Sequence, residues 1–172
     1  FRAEKVSEFA NQIIQNCSEK AKEVSGDIFS KYPIFFTRDI SLARDWVRSK
    51  ARGSERYGIL ASSGARRLRP DGVNVQAVND DPTTWFLNEP SDVRSSFYLE
   101  EAATEFTVQG LELDWCIVCW DADYRYRKVP DDTASSLSGT QLSHGNFEYW
   151  KFSGTKWQTV KNPERQLYLK NA

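Results

Sequence analysis

Several patterns that would place this chain in a common functional class are missing from it. No apolar run approaches the ~18 residues that a membrane-spanning helix needs, so we expect no membrane contact. The phosphate-cradling pattern G-x-x-x-x-G-K-[ST] is also absent, since Gly154-Thr155-Lys156 lacks the upstream glycine and a preceding strand. The net charge of −1 gives no global attraction for nucleic acid, so any such contact must be a local patch.

Cysteine and histidine are too scarce to support a metal or triad chemistry. Three cysteines, an odd number, favour a reducing compartment, and we expect a cytoplasmic protein. Cys116 and Cys119 are three residues apart in a predicted strand, so their thiols should face opposite sides and both should be small core residues. His144 is the one histidine and lies in a Gly/Ser-rich segment. We therefore predict neither a metal site nor a histidine-based triad.

The first half of the chain alternates amphipathic and apolar segments, which predicts an α/β fold. Apolar spacing of three and four predicts one helix from Ala3 to Val24, ended by Gly26. Ile34–Thr37 and Tyr57–Ala61 are predicted strands, and Asp39 or Ser41 should cap the helix between them. A strand, a helix and a strand with short links predict a right-handed parallel crossover.

The second half is centred on a six-residue apolar run, Trp115–Trp120. This pattern predicts a central strand buried on both faces, with Trp85–Leu87 and Ala102–Thr104 as shorter strands. Downstream, Tyr124–Asn146 is predicted to be a long exposed loop. Phe147–Val160 should form a hairpin that turns at Gly154, and a helix should begin at Pro163.

Several long segments resemble one helicase family. Within Ala103–Trp115, the residues Thr104, Gln109-Gly110-Leu111-Glu112 and Asp114 resemble motif V of superfamily 1 helicases. Over nearly its whole length, the sequence is similar to the schlafen-type helicase-like ATPase family of bacteria. The other segments that carry this resemblance are Ala61–Val73, Trp85–Ser96, Phe152–Gln158 and Tyr168–Ala172.

The resemblance implies the second of two RecA-like motor domains. The expected fold is an incomplete three-layer α/β sandwich with a mainly parallel sheet, formed by residues 1–172 as one domain with a loop and hairpin insertion at 124–160. The family pattern extends past both ends, so we expect an arginine of motif IV upstream of Phe1 and the arginine finger of motif VI downstream of Ala172. The chain itself should carry no catalytic residue and no cofactor.

The resemblance also implies the partners of the full-length protein and the roles of four residues. ATP and Mg²⁺ would lie between this domain and the first RecA-like domain, and single-stranded DNA or RNA would cross both. Gly110 would let backbone approach phosphate, Glu112 would meet the ribose, and Gln109 and Thr104 would couple the nucleotide to the nucleic acid. Glycine permits such an approach and a carboxylate suits a sugar hydroxyl.

One basic cluster is the candidate for a nucleic-acid contact. Arg66, Arg67 and Arg69 follow the strand Tyr57–Ala61 and the Ser62-Ser63-Gly64 turn. Ligands of open α/β sheets bind beyond the carboxyl ends of the strands, so these arginines and both serines could contact a nucleic-acid backbone. A solvated charged loop is the alternative interpretation of the same residues.

Two other function classes stay open. Asp121 and Asp123 follow the Trp115–Trp120 strand and could hold Mg²⁺ in a phosphatase or transferase, although Tyr124-Arg125 lacks the small turn of that phosphatase pattern. A non-catalytic nucleic-acid or protein-binding module could instead use the arginine cluster and exposed aromatic residues.

Overall fold

The computed structural model describes residues 2–75, 82–128 and 145–171, and it confirms an α/β protein. The chain forms two compact units. We call Phe35–Ala122 the parallel-sheet unit, and Phe1–Ile34 with Asp123–Asn171 the antiparallel-sheet unit. The helices are α1 (Arg2–Ile14), α2 (Ser18–Phe29), α3 (Ile40–Lys50), α4 (Pro82–Leu87) and α5 (Pro163–Asn171). The strands are β1 (Tyr57–Ala61), β2 (Ala102–Ala103), β3 (Trp115–Cys119), β4 (Tyr124–Lys128), β5 (Gly145–Ser153) and β6 (Lys156–Thr159).

The parallel-sheet unit contains a three-stranded sheet in the order β2-β1-β3. All of its pairs are parallel, with Ile59 of β1 opposite both Ala102 and Ile117. The predicted strands at Tyr57–Ala61 and Ala102–Thr104 are thus confirmed, as is a parallel sheet.

Helices cover both faces of this sheet, as predicted. Ile59 and Ile117 pack with Val47 of α3 in one buried cluster. On the other face, Leu60 packs against a smaller cluster that contains Trp85 of α4. Side chains of a strand alternate between faces, so Ile59 packs towards α3 and the next residue, Leu60, packs towards α4.

The prediction that Trp115–Trp120 is a central strand buried on both faces is wrong. Among the described residues β3 pairs only with β1, which makes β1 the central strand. Ile117 is buried, but Val118 on the opposite face is 66% exposed and Trp120 is 57% exposed. A continuous apolar run does not reveal whether its second face is covered.

The two cysteines of β3 face opposite sides, but only one of them is a core residue. Cys119 packs against the buried cluster below α3, and burial raises the pKa of its thiol to about 11. Cys116 is exposed. The prediction of two core cysteines therefore holds for Cys119 alone.

Two further predicted strands do not form. Ile34–Thr37 has no strand pairing and its apolar side chains are exposed, so the predicted crossover lacks its first strand. Phe35 instead stacks on Trp46, with ring centroids 5.6 Å apart. Trp85–Leu87 belongs to helix α4, whose first residue is Pro82, a favoured helix start. Short apolar runs cannot distinguish a strand from a helical turn, which explains the error at Trp85–Leu87. Ile34–Thr37 belongs to neither a strand nor a helix.

The cap of α3 is confirmed in detail. The Asp39 side chain accepts hydrogen bonds from the backbone N–H groups of Ser41 at 2.8 Å and Leu42 at 3.3 Å. These bonds satisfy two donors that the first helical turn leaves unpaired.

The antiparallel-sheet unit begins with two helices where one was predicted. The break follows Ile14, where Asn16 adopts φ 60°, and Gly26 lies inside α2 instead of ending a helix. Asparagine tolerates the left-handed region better than most residues. Its side-chain amide also donates to the carbonyl oxygen of Gly145 at 2.5 Å, a contact that helical periodicity does not reveal.

The described part of this unit also contains an antiparallel sheet of three strands in the order β4-β5-β6. The predicted hairpin over Phe147–Val160 is confirmed, with Gly154 at φ 63° in its turn, and so is a helix that begins at Pro163. The loop predicted over Tyr124–Asn146 is wrong at its start, because Tyr124–Lys128 forms β4 and pairs with β5. The middle of that predicted loop, 129–144 with His144, lies outside the described residues. Within the described ranges, none of the helices has the length and apolar character to cross a membrane.

Candidate functional site

The carboxyl ends of the three parallel strands lie at one edge of the sheet, and polar residues follow each of them. Ser62 and Ser63 follow β1, Thr104 and Glu105 follow β2, and Asp121 follows β3 by one residue. Open α/β sheets bind their ligands at this edge. The candidate site is therefore the set of turns that leave these three strand ends.

A hydrogen-bonded clasp joins the turns after β1 and β2. The Ser63 backbone N–H and hydroxyl donate to the Glu105 carboxylate at 2.8 Å and 2.7 Å. In the adjacent turn, the Ser62 hydroxyl accepts from the Gly64 N–H at 3.3 Å. Both serines predicted to contact nucleic acid thus also shape the turn.

Sequence reasoning missed Glu105. The available signal was its position, since it follows β2 as Ser63 follows β1, and parallel neighbours place such residues side by side. In that position the Glu105 carboxylate can accept hydrogen bonds from both the hydroxyl and the backbone N–H of Ser63.

The basic cluster forms a short 3-10 helix, Arg66–Asp71, instead of an irregular loop. The Arg67 guanidinium pairs with the Asp121 carboxylate, whose side chain is only 3% exposed. The same carboxylate accepts from the Ala122 N–H at 2.6 Å. A buried carboxylate requires a compensating partner, and Arg67 provides it for Asp121. The ion pair therefore connects the basic cluster to the chain just after β3.

The other two arginines of the cluster have a different environment. Arg66 and Arg69 are exposed, and within the part of the chain that the structure describes no ion pair engages either side chain. Of the three cationic groups predicted to meet phosphate, Arg67 is thus already paired, whereas Arg66 and Arg69 face solvent.

The motif V residues divide into one buried residue and three exposed ones. Thr104 is 1% exposed; its backbone N–H donates to the Thr107 hydroxyl at 2.7 Å, and that hydroxyl donates back to the Thr104 carbonyl at 2.9 Å. Gln109, Gly110 and Glu112 lie in the exposed turn that follows. The structure therefore does not bring Thr104 together with the other three at one accessible surface.

Gly110 adopts φ 81°, a conformation that other residues reach only with strain, and a Cβ added there would have no neighbour within 4 Å among the described residues. The turn on either side of it is anchored, since Val108 and Leu113 pack against the cluster of Trp85 and Ala103. An anchored, exposed glycine turn leaves its backbone accessible to a ligand.

The residues proposed for magnesium have other contacts. The Asp121 carboxylate pairs with Arg67, whereas the contact of Asp123 is made by its backbone carbonyl, which accepts from the Trp150 N–H at 2.7 Å in the antiparallel-sheet unit. In the ranges 2–75, 82–128 and 145–171, no group of three or more His, Cys, Asp or Glu side chains is placed to hold a metal ion. This arrangement does not favour the phosphatase or transferase alternative.

The family model that matches this chain is described as Schlafen group 3, DNA/RNA helicase domain, and the match covers residues 1–172. Comparison with curated proteins and with solved structures gave no match.

Proposed function

Since the chain belongs to the Schlafen group 3 DNA/RNA helicase domain family, we propose that it is the second RecA-like domain of an ATP-dependent superfamily 1 helicase. In this role it completes an ATP–Mg²⁺ site whose P-loop lies on a first RecA-like domain, and it forms part of the track for single-stranded DNA or RNA. The observation that carries the proposal is the edge where three parallel strands end in joined polar turns.

The exposed turn at Gln109–Glu112 supports the nucleotide role. Gly110 offers accessible backbone, and Glu112 is an exposed carboxylate two residues away. Backbone amides suit phosphate and a carboxylate suits a ribose hydroxyl. Thr104 is buried and would contribute indirectly, because its hydrogen bonds with Thr107 stabilise the start of this turn.

The 3-10 helix after β1 supports the nucleic-acid role. The Arg67–Asp121 pair fixes the 3-10 helix to the sheet. The backbone that carries Arg66 and Arg69 is therefore held in position while their side chains are exposed to solvent. Guanidinium groups bind phosphate with paired donors and carry a permanent charge. These two arginines, and not all three, are therefore the proposed phosphate contacts.

The test compares Arg66→Ala/Arg69→Ala with Lys50→Ala/Arg52→Ala in binding to a single-stranded oligonucleotide over a range of salt concentrations. The control pair removes the same charge from exposed positions before the amino end of β1. We expect the first variant to bind more weakly and its salt slope to fall by about 1.4, since each phosphate contact to a single strand contributes roughly 0.7. Unchanged affinity and slope in the first variant would place the track elsewhere.

A further inference from the structure

The antiparallel sheet β4-β5-β6 has an unusual composition. Its 18 residues include seven aromatic residues, five basic residues and one acidic residue. The sheet therefore carries a net charge of +4 within a chain whose net charge is −1. Leu, Ile and Val, which dominate ordinary cores, are absent from all three strands.

The two faces of this sheet hold different residues. Opposite residues of an antiparallel pair share a face. Tyr124 pairs with Tyr149, and Tyr126 with Phe147, which gives one face of packed rings. That face is tied to the end of α1, because the Tyr124 hydroxyl donates to the Ile14 carbonyl at 2.9 Å.

The other face, which we call the Arg125 face, holds the following residues: Arg125, Arg127, Asn146, Glu148, Trp150, Phe152, Trp157 and Thr159. The Arg125 guanidinium lies over two indoles, 4.0 Å from the ring centroid of Trp150 and 5.2 Å from that of Trp157. Phe152 meets Trp157 edge to face at 5.4 Å and is 49% exposed.

Two indole rings hold the Arg125 guanidinium in the described part of the chain. Across the described ranges, neither a carboxylate nor a carbonyl oxygen engages its guanidinium, which carries five N–H donors. Glu148, the one acid of the sheet, instead accepts from the Trp150 indole at 2.9 Å and pairs with Arg127 at 3.4 Å. Stacking thus fixes the orientation of a cation while its hydrogen-bonding edge stays available to an anion.

We propose that the Arg125 face binds single-stranded nucleic acid, with bases stacked on Phe152 and Trp157 and a phosphate held by Arg125. Aromatic rings provide stacking surfaces that every base can use, and basic residues between them neutralise the backbone. This proposal rests on the proposed function and adds a second contact surface to it. The Arg125 face carries Arg125 and Arg127 against Glu148, a net charge of +1 and the sign that a polyanion requires, while Lys128, Lys151 and Lys156 lie on the other face.

A protein partner fits this face less well. Protein interfaces hold an apolar core depleted of charge, with salt bridges at the rim. Here a charge is part of the aromatic cluster itself, because the Arg125 guanidinium lies over both indoles. Single strands also fit better than duplexes, since only unpaired bases can stack on protein rings.

The experiment measures binding of twelve-nucleotide deoxythymidine and uridine oligomers to the full chain by tryptophan fluorescence at several salt concentrations. We expect quenching on binding, and an affinity about fivefold or more lower for Phe152→Leu, which keeps apolar bulk but removes the ring. Arg125→Ala should also weaken binding and lower the salt slope by about 0.7. Arg125→Lys should keep the slope but lose affinity, because an ammonium group does not reproduce the planar stack.

Two matched controls separate the proposal from general effects. Arg165→Ala removes an arginine that lies 4.4 Å from the Tyr168 ring centroid on α5, and Phe36→Leu changes an exposed ring in the parallel-sheet unit. Both should bind like the parent chain. Equal unfolding temperatures for parent and variants should show that the exposed substitutions leave the fold intact.

The outcomes also distinguish this proposal from the proposed function. If Phe152→Leu and Arg125→Ala bind like the parent while Arg66→Ala/Arg69→Ala does not, the Arg125 face is not a nucleic-acid surface and the motor track stands. The reverse pattern supports the Arg125 face and removes the arginine cluster from the track. A parent chain that binds neither oligomer at low salt overturns both, and a protein partner would leave oligomer affinity equal in all variants.

Discussion

At the residue scale, Tyr124 is a group whose ionisation should be linked to folding. Burial raises the pKa of its hydroxyl from 10.0 to about 12, with Tyr149 adding to the shift. A raised pKa in the folded state means that the stability this group contributes is fully present below pH 10.0 and is lost as the pH rises toward 12.

We therefore expect Tyr124→Phe to change how stability depends on alkaline pH. At pH 8 the variant should lose about 0.5–1.5 kcal/mol, because the hydrogen bond to the Ile14 carbonyl is gone. Between pH 10 and 12 its free energy of unfolding should fall less steeply than that of the parent chain. Urea denaturation at several pH values measures both, and equal slopes would show that Tyr124 ionises as freely in the folded chain as in the unfolded one.

Individual residues were predictable from sequence where their partners are local. Asp39 caps α3 through atoms two and three residues away, and this pattern was visible in the sequence. Glu105 and Asp121 act through partners 42 and 54 residues distant, so their roles depend on the strand order. The arginine cluster was recognised as basic, but the pairing that sets Arg67 apart from Arg66 and Arg69 requires the fold.

At the element scale, β1 and not β3 is the strand on which the parallel sheet depends. Ile59 of β1 is fully buried beneath α3, whereas Val118 of β3 is 66% exposed. On the amino side of Ile59, a Cβ added to Gly58 would lie 2.7 Å from the Trp85 ring, so α4 packs directly on the backbone of β1. Both α3 and α4 thus pack on β1.

The expected consequence is a large difference between two core-type substitutions. Ile59→Ala should cost about 2–5 kcal/mol of unfolding free energy, because a fully buried side chain leaves a cavity. Val118→Ala should change stability by no more than about 0.5 kcal/mol, as exposed positions usually do. Chemical denaturation of both variants decides the matter; similar losses would mean that the outer face of β3 is covered.

The element with alternation and a turn residue was predicted well, and short apolar runs gave mixed results. The hairpin around Gly154 appears where alternation and glycine indicated it, and the short runs at β1 and β2 do form strands. Ile34–Thr37 and Trp85–Leu87 were assigned as strands on three or four residues, too few for a period to be established. The single predicted helix is two helices, with Asn16 at the break. Helical periodicity could not reveal this break, because Asn16 bonds to Gly145, which is far away in the sequence.

At the scale of the whole molecule, the proposed motor role predicts that this chain does not hydrolyse ATP by itself. The sequence does not contain the pattern G-x-x-x-x-G-K-[ST], the P-loop whose backbone and lysine hold the phosphates of ATP in P-loop proteins. We expect phosphate release in the presence of Mg²⁺ and ATP to stay at background. Turnover that survives repurification and is abolished by Glu112→Ala would contradict this division of labour between two domains.

The discontinuous antiparallel-sheet unit has a consequence for synthesis on the ribosome. Its helices α1 and α2 are made before Phe35–Ala122, whereas their partners β4 and β5 are made only after it. At roughly 5–20 residues per second, those intervening residues take several seconds or more to translate. Throughout that interval Ile14 and Asn16 lack their contacts with Tyr124 and Gly145, so we expect α1 and α2 to be a target for chaperones while the parallel-sheet unit folds.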